Sequence, residues 1–245
     1  MVANRKGKGM EDISDRLKRV VVALDLDYDE AMRVARQLQG HASWMKVGMT
    51  LFYAEGPAIV SKLKDLGFKV FIDLKLFDIP HQVSGAAASL AALGADLITV
   101  HAIGGQSMLK AAVAGASEGA IYANVTAPKL LGITVVTSMS QDDLADIGVS
   151  RDLDEQVSEL AALAMKAGLN GVVASPQELV RLRGELGNEA LVVTPGIRPA
   201  GSDSNDQTRT ATPAEAFDDG ASYIVIGRPI TAAADPLAAF NALFD

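Results

Sequence analysis

The chain is 245 residues long, carries a formal net charge of −8 from 22 Lys and Arg against 30 Asp and Glu, and contains no cysteine. That balance leaves no basic surplus for a nucleic-acid backbone or an anionic membrane, and the missing thiols exclude disulfides, a thiolate nucleophile and Cys-type zinc sites. Hydrophobic residues make up 49% of the chain, enough for a sizeable core in one α/β barrel of about 250 residues or in two smaller domains.

Residues 1–15 are expected to form a flexible extension, since VANRKGKG (residues 2–9) has no apolar core of the kind a secretory leader needs. Residues 16–245 are then the folded domain. No segment offers an uninterrupted apolar run of bilayer length, so the expectation is a cytoplasmic protein without a membrane partner.

From Val20 onward, short β-branched runs alternate with stretches of helical apolar period. Strands are predicted at 20–24, 44–47, 69–72, 96–100, 130–136, 171–174, 191–193 and 223–226. Between the third and fourth, Ile79, Val83, Ala86, Leu90 and Leu93 recur at spacings of four and three and predict a helix over 79–93. Gly67, Gly94, Gly168 and Gly220 each stop a helix just before the next strand. Eight such β-α units without a break in composition predict an α/β fold, a (β/α)8 TIM barrel in a single domain, with a doubly wound open sheet as the alternative.

A barrel places its chemistry at the C-terminal ends of its strands. There the sequence sets Asp25, Lys46, Asp73 with Lys75 and Asp78, His101, Thr137 with Ser138 and Ser140, Ser175, Arg198 and the Gly227-Arg228 pair. Taken singly, each has a plain structural reading: Asp25 ends a strand, Lys46 snorkels, and Ser175 before Pro176 caps a helix. Lys46, however, lies inside the run WMKVG, and a lysine facing the lumen needs a carboxylate such as Asp25 or Asp73. An alternating chain of Asp25, Lys46, Asp73, Lys75 and a further Asp would be nearly neutral and would hold every charge in place. After the last two strands, TPGIR (194–198) and GRP (227–229) bring two glycines and two arginines to the loops where such barrels bind phosphate. The substrate expected is a small phosphate ester. His101 has no second His or carboxylate at metal-ligand spacing and reads as a hydrogen-bonded rim residue. Neither a metal nor a cofactor is expected.

Together, DxKxxDIP (73–80), VALD (22–25), KVG (46–48), LITVH (97–101), TVVTSM (134–139), TPGIR with NDQ (205–207) and VIGRPI (225–230) resemble the bacterial type of orotidine 5'-phosphate decarboxylase. The resemblance runs from about Val20 to the C-terminus. It implies a homodimeric barrel that converts orotidine 5'-monophosphate to UMP and CO2 in pyrimidine synthesis, with neither metal nor cofactor. It also implies roles. Lys75 resembles the proton donor, with Asp73 beside it and Asp78 completing the neighbouring subunit's site. Asp25 and Lys46 resemble the ribose contacts. Ile79, Gln82 and Thr137 fall at substrate-contact positions, and Arg198, Gln207, Gly227 and Arg228 resemble the phosphate-end contacts. One position departs from the pattern: Gln82 stands where members of this type commonly carry Thr. Two other readings are kept beside it. One is a Mg2+-dependent keto-gulonate-phosphate decarboxylase or hexulose-phosphate synthase, against which the IP continuation and PGIR argue. The other is a catalytically dead nucleotide-binding barrel, which has no need of so costly a charge array.

Overall fold

In a computed structural model describing residues 12–199 and 210–245, the β-branched runs form eight parallel strands. These are β1 (Val20–Ala23), β2 (Trp44–Gly48), β3 (Lys69–Leu76), β4 (Leu97–His101), β5 (Lys129–Ile133), β6 (Gly171–Val173), β7 (Leu191–Thr194) and β8 (Tyr223–Ile226). They pair in chain order, and β8 pairs back onto β1, with Val20 beside Ile224 and Val22 beside Ile226. That closure confirms the (β/α)8 barrel and rules out the open sheet.

The period of two along each strand divides the core into two layers. Val21, Ala23, Trp44, Phe71, Leu97, Leu131, Val193 and Val225 point inward and fill the lumen. Val20, Val22, Met45, Val47, Ile72 and Ile98 point outward and pack beneath the helices. At the N-terminal end Trp44 and Tyr223 meet edge to face at 5.1 Å and help to fill the floor. Two residues further along, the inward positions above Trp44, Phe71 and Leu97 are Lys46, Asp73 and Thr99. The apolar plug therefore ends where the polar side chains begin.

Several boundaries differ from the sequence expectation, each for a physical reason. The expected extension of residues 1–15 overlaps a short helix, Ile13–Leu17, whose N-terminus Asp12 caps by accepting from Ser14 N; residues 1–11 lie outside the described residues. β3 runs on to Leu76 instead of ending at residue 72, so Asp73 and Lys75 sit within a strand. β5 stops at Ile133 although residues 134–136 are β-formers, because its partner β6 is only three residues long and the Thr134 hydroxyl donates to Val173 O at 3.1 Å. The helix expected over 79–93 forms as Pro80–Ala92. Ile79, expected on its buried face, is 62% exposed instead.

That helix packs closely on its successor, Gly105–Ala123. A Cβ placed on Gly115 or Gly119 would meet the carbonyl groups of Ser84 or Ala88 well inside van der Waals contact. Replacing a mid-helix glycine by alanine ordinarily stabilises by about 1 kcal/mol. At Gly119 the overpacking against rigid backbone costs more, so Gly119→Ala is expected to lose about 2 kcal/mol net, or roughly 4–8 °C in Tm. Gly85→Ala, with nothing within 4 Å of the added methyl, should instead raise Tm. Thermal melts of the two variants check the contrast, which fails if both move in the same direction.

Candidate active site

Four side chains from two strands and one loop form a continuous ionic chain across the C-terminal mouth of the barrel. Lys46 Nζ lies 3.0 Å from Asp25 Oδ1 and 3.3 Å from Asp73 Oδ2, and Lys75 Nζ lies 3.0 Å from Asp73 Oδ1. Lys46 is 7% exposed. Burial alone would push its ammonium towards neutrality, but the Asp73 and Asp25 carboxylates outweigh it and hold the group above the usual lysine range. Burial likewise opposes ionisation of Asp73, and the flanking Lys46 and Lys75 overcome it, keeping the carboxyl below its ordinary value. Lys46 and Asp73 are therefore both held as ions. Gly48 makes room for them, because a Cβ there would lie 2.5 Å from Asp25 Oδ1.

Asp73 and Lys75 both face the cavity from an irregular stretch of β3. Ile72 pairs with Ile98, but the next pair is Leu76 with Val100, so three residues of β3 face Thr99 alone. The extra length forms a bulge in which Lys75 takes φ = 52°, one of only two non-glycine residues with positive φ among the described residues. A side chain in this left-handed region carries strain of about 1–3 kcal/mol unless its surroundings fix it. Here the Lys75 N–H donates to Thr99 Oγ1 at 2.9 Å, while the Thr99 hydroxyl donates to Asp73 Oδ1 at 3.0 Å.

Facing this chain across a cavity of about 560 Å³ are the ends of β7 and β8. Arg198, Gly196, Gly227, Arg228 and Thr137 line that side, with Ile133, Val135 and Val173 forming an apolar patch between the two polar ends. Arg198 donates through Nη1 to Ile197 O at 2.9 Å, and its buried Nε has no partner among the described residues. Burial and then the neighbouring Arg228 charge lower its pKa, so two guanidinium groups are held close enough to repel. An anion between them would relieve that repulsion. The cavity thus has one end suited to a dianion, an apolar middle, and an ammonium at the other end.

Of the residues singled out from sequence, Asp25, Lys46, Asp73, Lys75, Thr137, Arg198, Gly227 and Arg228 share this cavity. Asp78, Ile79 and Gln82 do not. All three are exposed, and Asp78 Oδ1 accepts from Ile79 N at 2.6 Å. Gln207 lies outside the described residues. Ser175 and Ser140 are helix caps, each in a reciprocal box with Glu178 and Asp143 respectively. His101 departs from the hydrogen-bonded reading: its buried Nδ1 has no partner among the described residues, its ring leans on Phe77 at 5.9 Å, and burial followed by Lys75 lowers its pKa. Among the described residues no three His, Cys, Asp or Glu side chains gather as a metal site, and no helix is long and apolar enough to cross a membrane. Thr99 was missed. Counting two residues along β4 from the inward Leu97 would have found it.

Residues 18–243 match the family described as "Orotidine 5'-phosphate decarboxylase / HUMPS family". The orotidine 5'-phosphate decarboxylase of Moorella thermoacetica is 49% identical over 227 residues, 92% of this chain and 90% of that protein. That of Maridesulfovibrio salexigens is 46% identical, over 90% of this chain and 94% of its own length. Among solved structures, the Lactobacillus acidophilus orotidine 5'-phosphate decarboxylase superposes with a TM-score of 0.83 at 42% identity, covering 92% of this chain and 97% of that one. A Geobacillus kaustophilus protein described as uncharacterized superposes at 0.80 with 41% identity, covering 91% and 97%.

Proposed function

The chain belongs to the orotidine 5'-phosphate decarboxylase / HUMPS family, and from that premise we propose that it converts orotidine 5'-monophosphate to UMP and CO2, a step of pyrimidine synthesis, with no catalytic group beyond its own side chains. The observation that carries this reading is the Asp25–Lys46–Asp73–Lys75 chain facing the Arg198 and Arg228 side of one cavity. A nucleoside monophosphate with a carboxylate on its base has charge at both ends and fits that polarity.

Direct loss of CO2 leaves an electron pair on a ring carbon that has no conventional electron sink. A fixed ammonium stabilises this charge without solvent reorganisation and then supplies the proton. Lys75 takes both roles. Asp73 adds repulsion of the substrate carboxylate, at most about 4 kcal/mol for charges roughly 4 Å apart at an effective dielectric of about 20. At about 1.4 kcal/mol per decade that is on the order of a thousandfold, against enzymatic accelerations that reach about 10¹⁷. Asp73 is moreover partnered by two ammonium groups, which dilutes its field. Pre-organised charge and binding energy from the phosphate end therefore rank ahead of repulsion.

In this reading Arg198, Gln207, Gly227 and Arg228 hold the phosphate, Asp25 and Lys46 the ribose hydroxyls, and Thr137 makes a further substrate contact. Asp78, with Ile79 and Gln82 on the same exposed segment, serves the cavity of a second copy in a homodimer. The exposure of Phe77 and Ile79 on that segment supports a covered face there. A reducing cytoplasm suits a chain that has no disulfide to form.

The test is the change in ultraviolet absorbance when the protein meets orotidine 5'-monophosphate, with and without a chelator. Turnover unaffected by the chelator is expected. No turnover would defeat the assignment, and turnover abolished by the chelator and restored by Mg2+ would replace it with the metal-dependent sugar-phosphate reaction.

A further inference from the structure

Thr99 sits on β4 with none of its surface exposed, and a threonine hydroxyl at such a depth must find partners. Its partners are the carboxylate of Asp73 and the backbone N–H of Lys75, at 3.0 and 2.9 Å. Three residues of β3 stand opposite this single residue, so the N–H of Lys75 bonds to a side chain of β4 in place of the backbone ladder.

We propose that Thr99 is a positioning residue for the reaction: its hydroxyl plugs the bulge of β3 and fixes, in one stroke, the rotation of the Asp73 carboxylate and the backbone that aims Lys75. The inference rests on the decarboxylase reading and goes beyond it. Asp73 Oδ1 accepts from both Thr99 and Lys75, while Oδ2 faces Lys46. With the hydroxyl present the carboxylate has one orientation, and each lysine has its own oxygen. Without it the carboxylate is free to turn, the Lys75 N–H loses its acceptor, and the left-handed conformation at Lys75 loses the contact that fixes it.

Thr99→Val removes the hydroxyl at nearly constant shape, and Thr99→Ser keeps it. A misplacement of about 1 Å costs on the order of 10²-fold in rate, so Thr99→Val should lower kcat about a hundredfold. KM should stay within about threefold, because the phosphate end is untouched. Thr99→Ser should recover most of the rate. Amide hydrogen exchange at Lys75, followed in protein labelled at lysine nitrogen, should be slow in the wild type and in Thr99→Ser and fast in Thr99→Val. Unchanged kcat in a folded Thr99→Val protein, equal losses in the Val and Ser variants, or equal Lys75 exchange in all three would overturn the proposal. If Thr99→Val does not fold, Thr99→Ala carries the same measurements. A wild-type protein that does not decarboxylate orotidine 5'-monophosphate sinks the functional reading alone, and the Lys75 exchange rates still decide the role of Thr99.

Discussion

Lys75→Ala is expected to lose at least about 10⁴-fold in kcat, the combined effect of removing a proton donor, worth about 10²–10⁴, and a fixed charge, worth about 10²–10³. The fold should survive. Asp73 keeps Lys46 and the Thr99 hydroxyl as partners, so no buried carboxylate is stranded. The positive φ at position 75 is strained for any side chain with a Cβ, so alanine inherits a cost that lysine already bears. Removing the Lys75 ammonium also frees Asp73 to repel the substrate carboxylate more strongly. If that repulsion drove the reaction, the variant would hold much of its rate, whereas stabilisation of the carbanion by Lys75 predicts near-complete loss. Single-turnover absorbance assays, alongside circular dichroism to verify folding, separate the two. Substantial turnover in a folded Lys75→Ala protein overturns the assignment of Lys75.

What could be read from sequence divides along the range of the interactions that decide it. The sequence left open whether Lys46 faces the lumen or the helices, but charge balance named its carboxylate partners if it faced the lumen; that near-neighbour argument holds at 3.0 and 3.3 Å. The convergence of Arg198 and Arg228 followed from the order of the barrel's loops. The β3 bulge was not legible, because residues 73 and 75 share a face in a regular strand too, and only the hydroxyl of Thr99, 24 positions beyond Lys75, fixes the change of register. The end of β5 was misread for a related reason. Residues 134–136 have high strand propensity, but a strand extends only as far as its neighbour, and the short β6 ends the pairing. Thr99 itself looked like one more β-branched residue in an apolar run. Its polarity matters only once Asp73 is placed opposite.

Asp78 poses the remaining question, since it lies in the same eight-residue motif as Asp73 and Lys75 yet stands on the surface, outside the cavity of its own chain. A carboxylate that acts in a second subunit has a distinctive genetic signature. Lys75→Ala and Asp78→Ala chains should each be inactive as homodimers. In a mixed dimer, one cavity combines an intact Lys75 with the intact Asp78 of the other chain, and the second cavity lacks both. Random exchange in equal amounts makes about half of the dimers mixed, each with one competent site of two, so activity should return to about a quarter of the wild-type level. The variants should fold, because neither removes a buried apolar group. Equal mixtures are incubated under conditions where differently tagged subunits are shown to exchange, and turnover is then read by absorbance. Exchange without recovery would place Asp78 outside the reaction, whereas activity in the Asp78→Ala homodimer alone would make it dispensable. Recovery to the predicted fraction requires that Asp78 act across the interface, since a carboxylate working within its own chain cannot complement in trans.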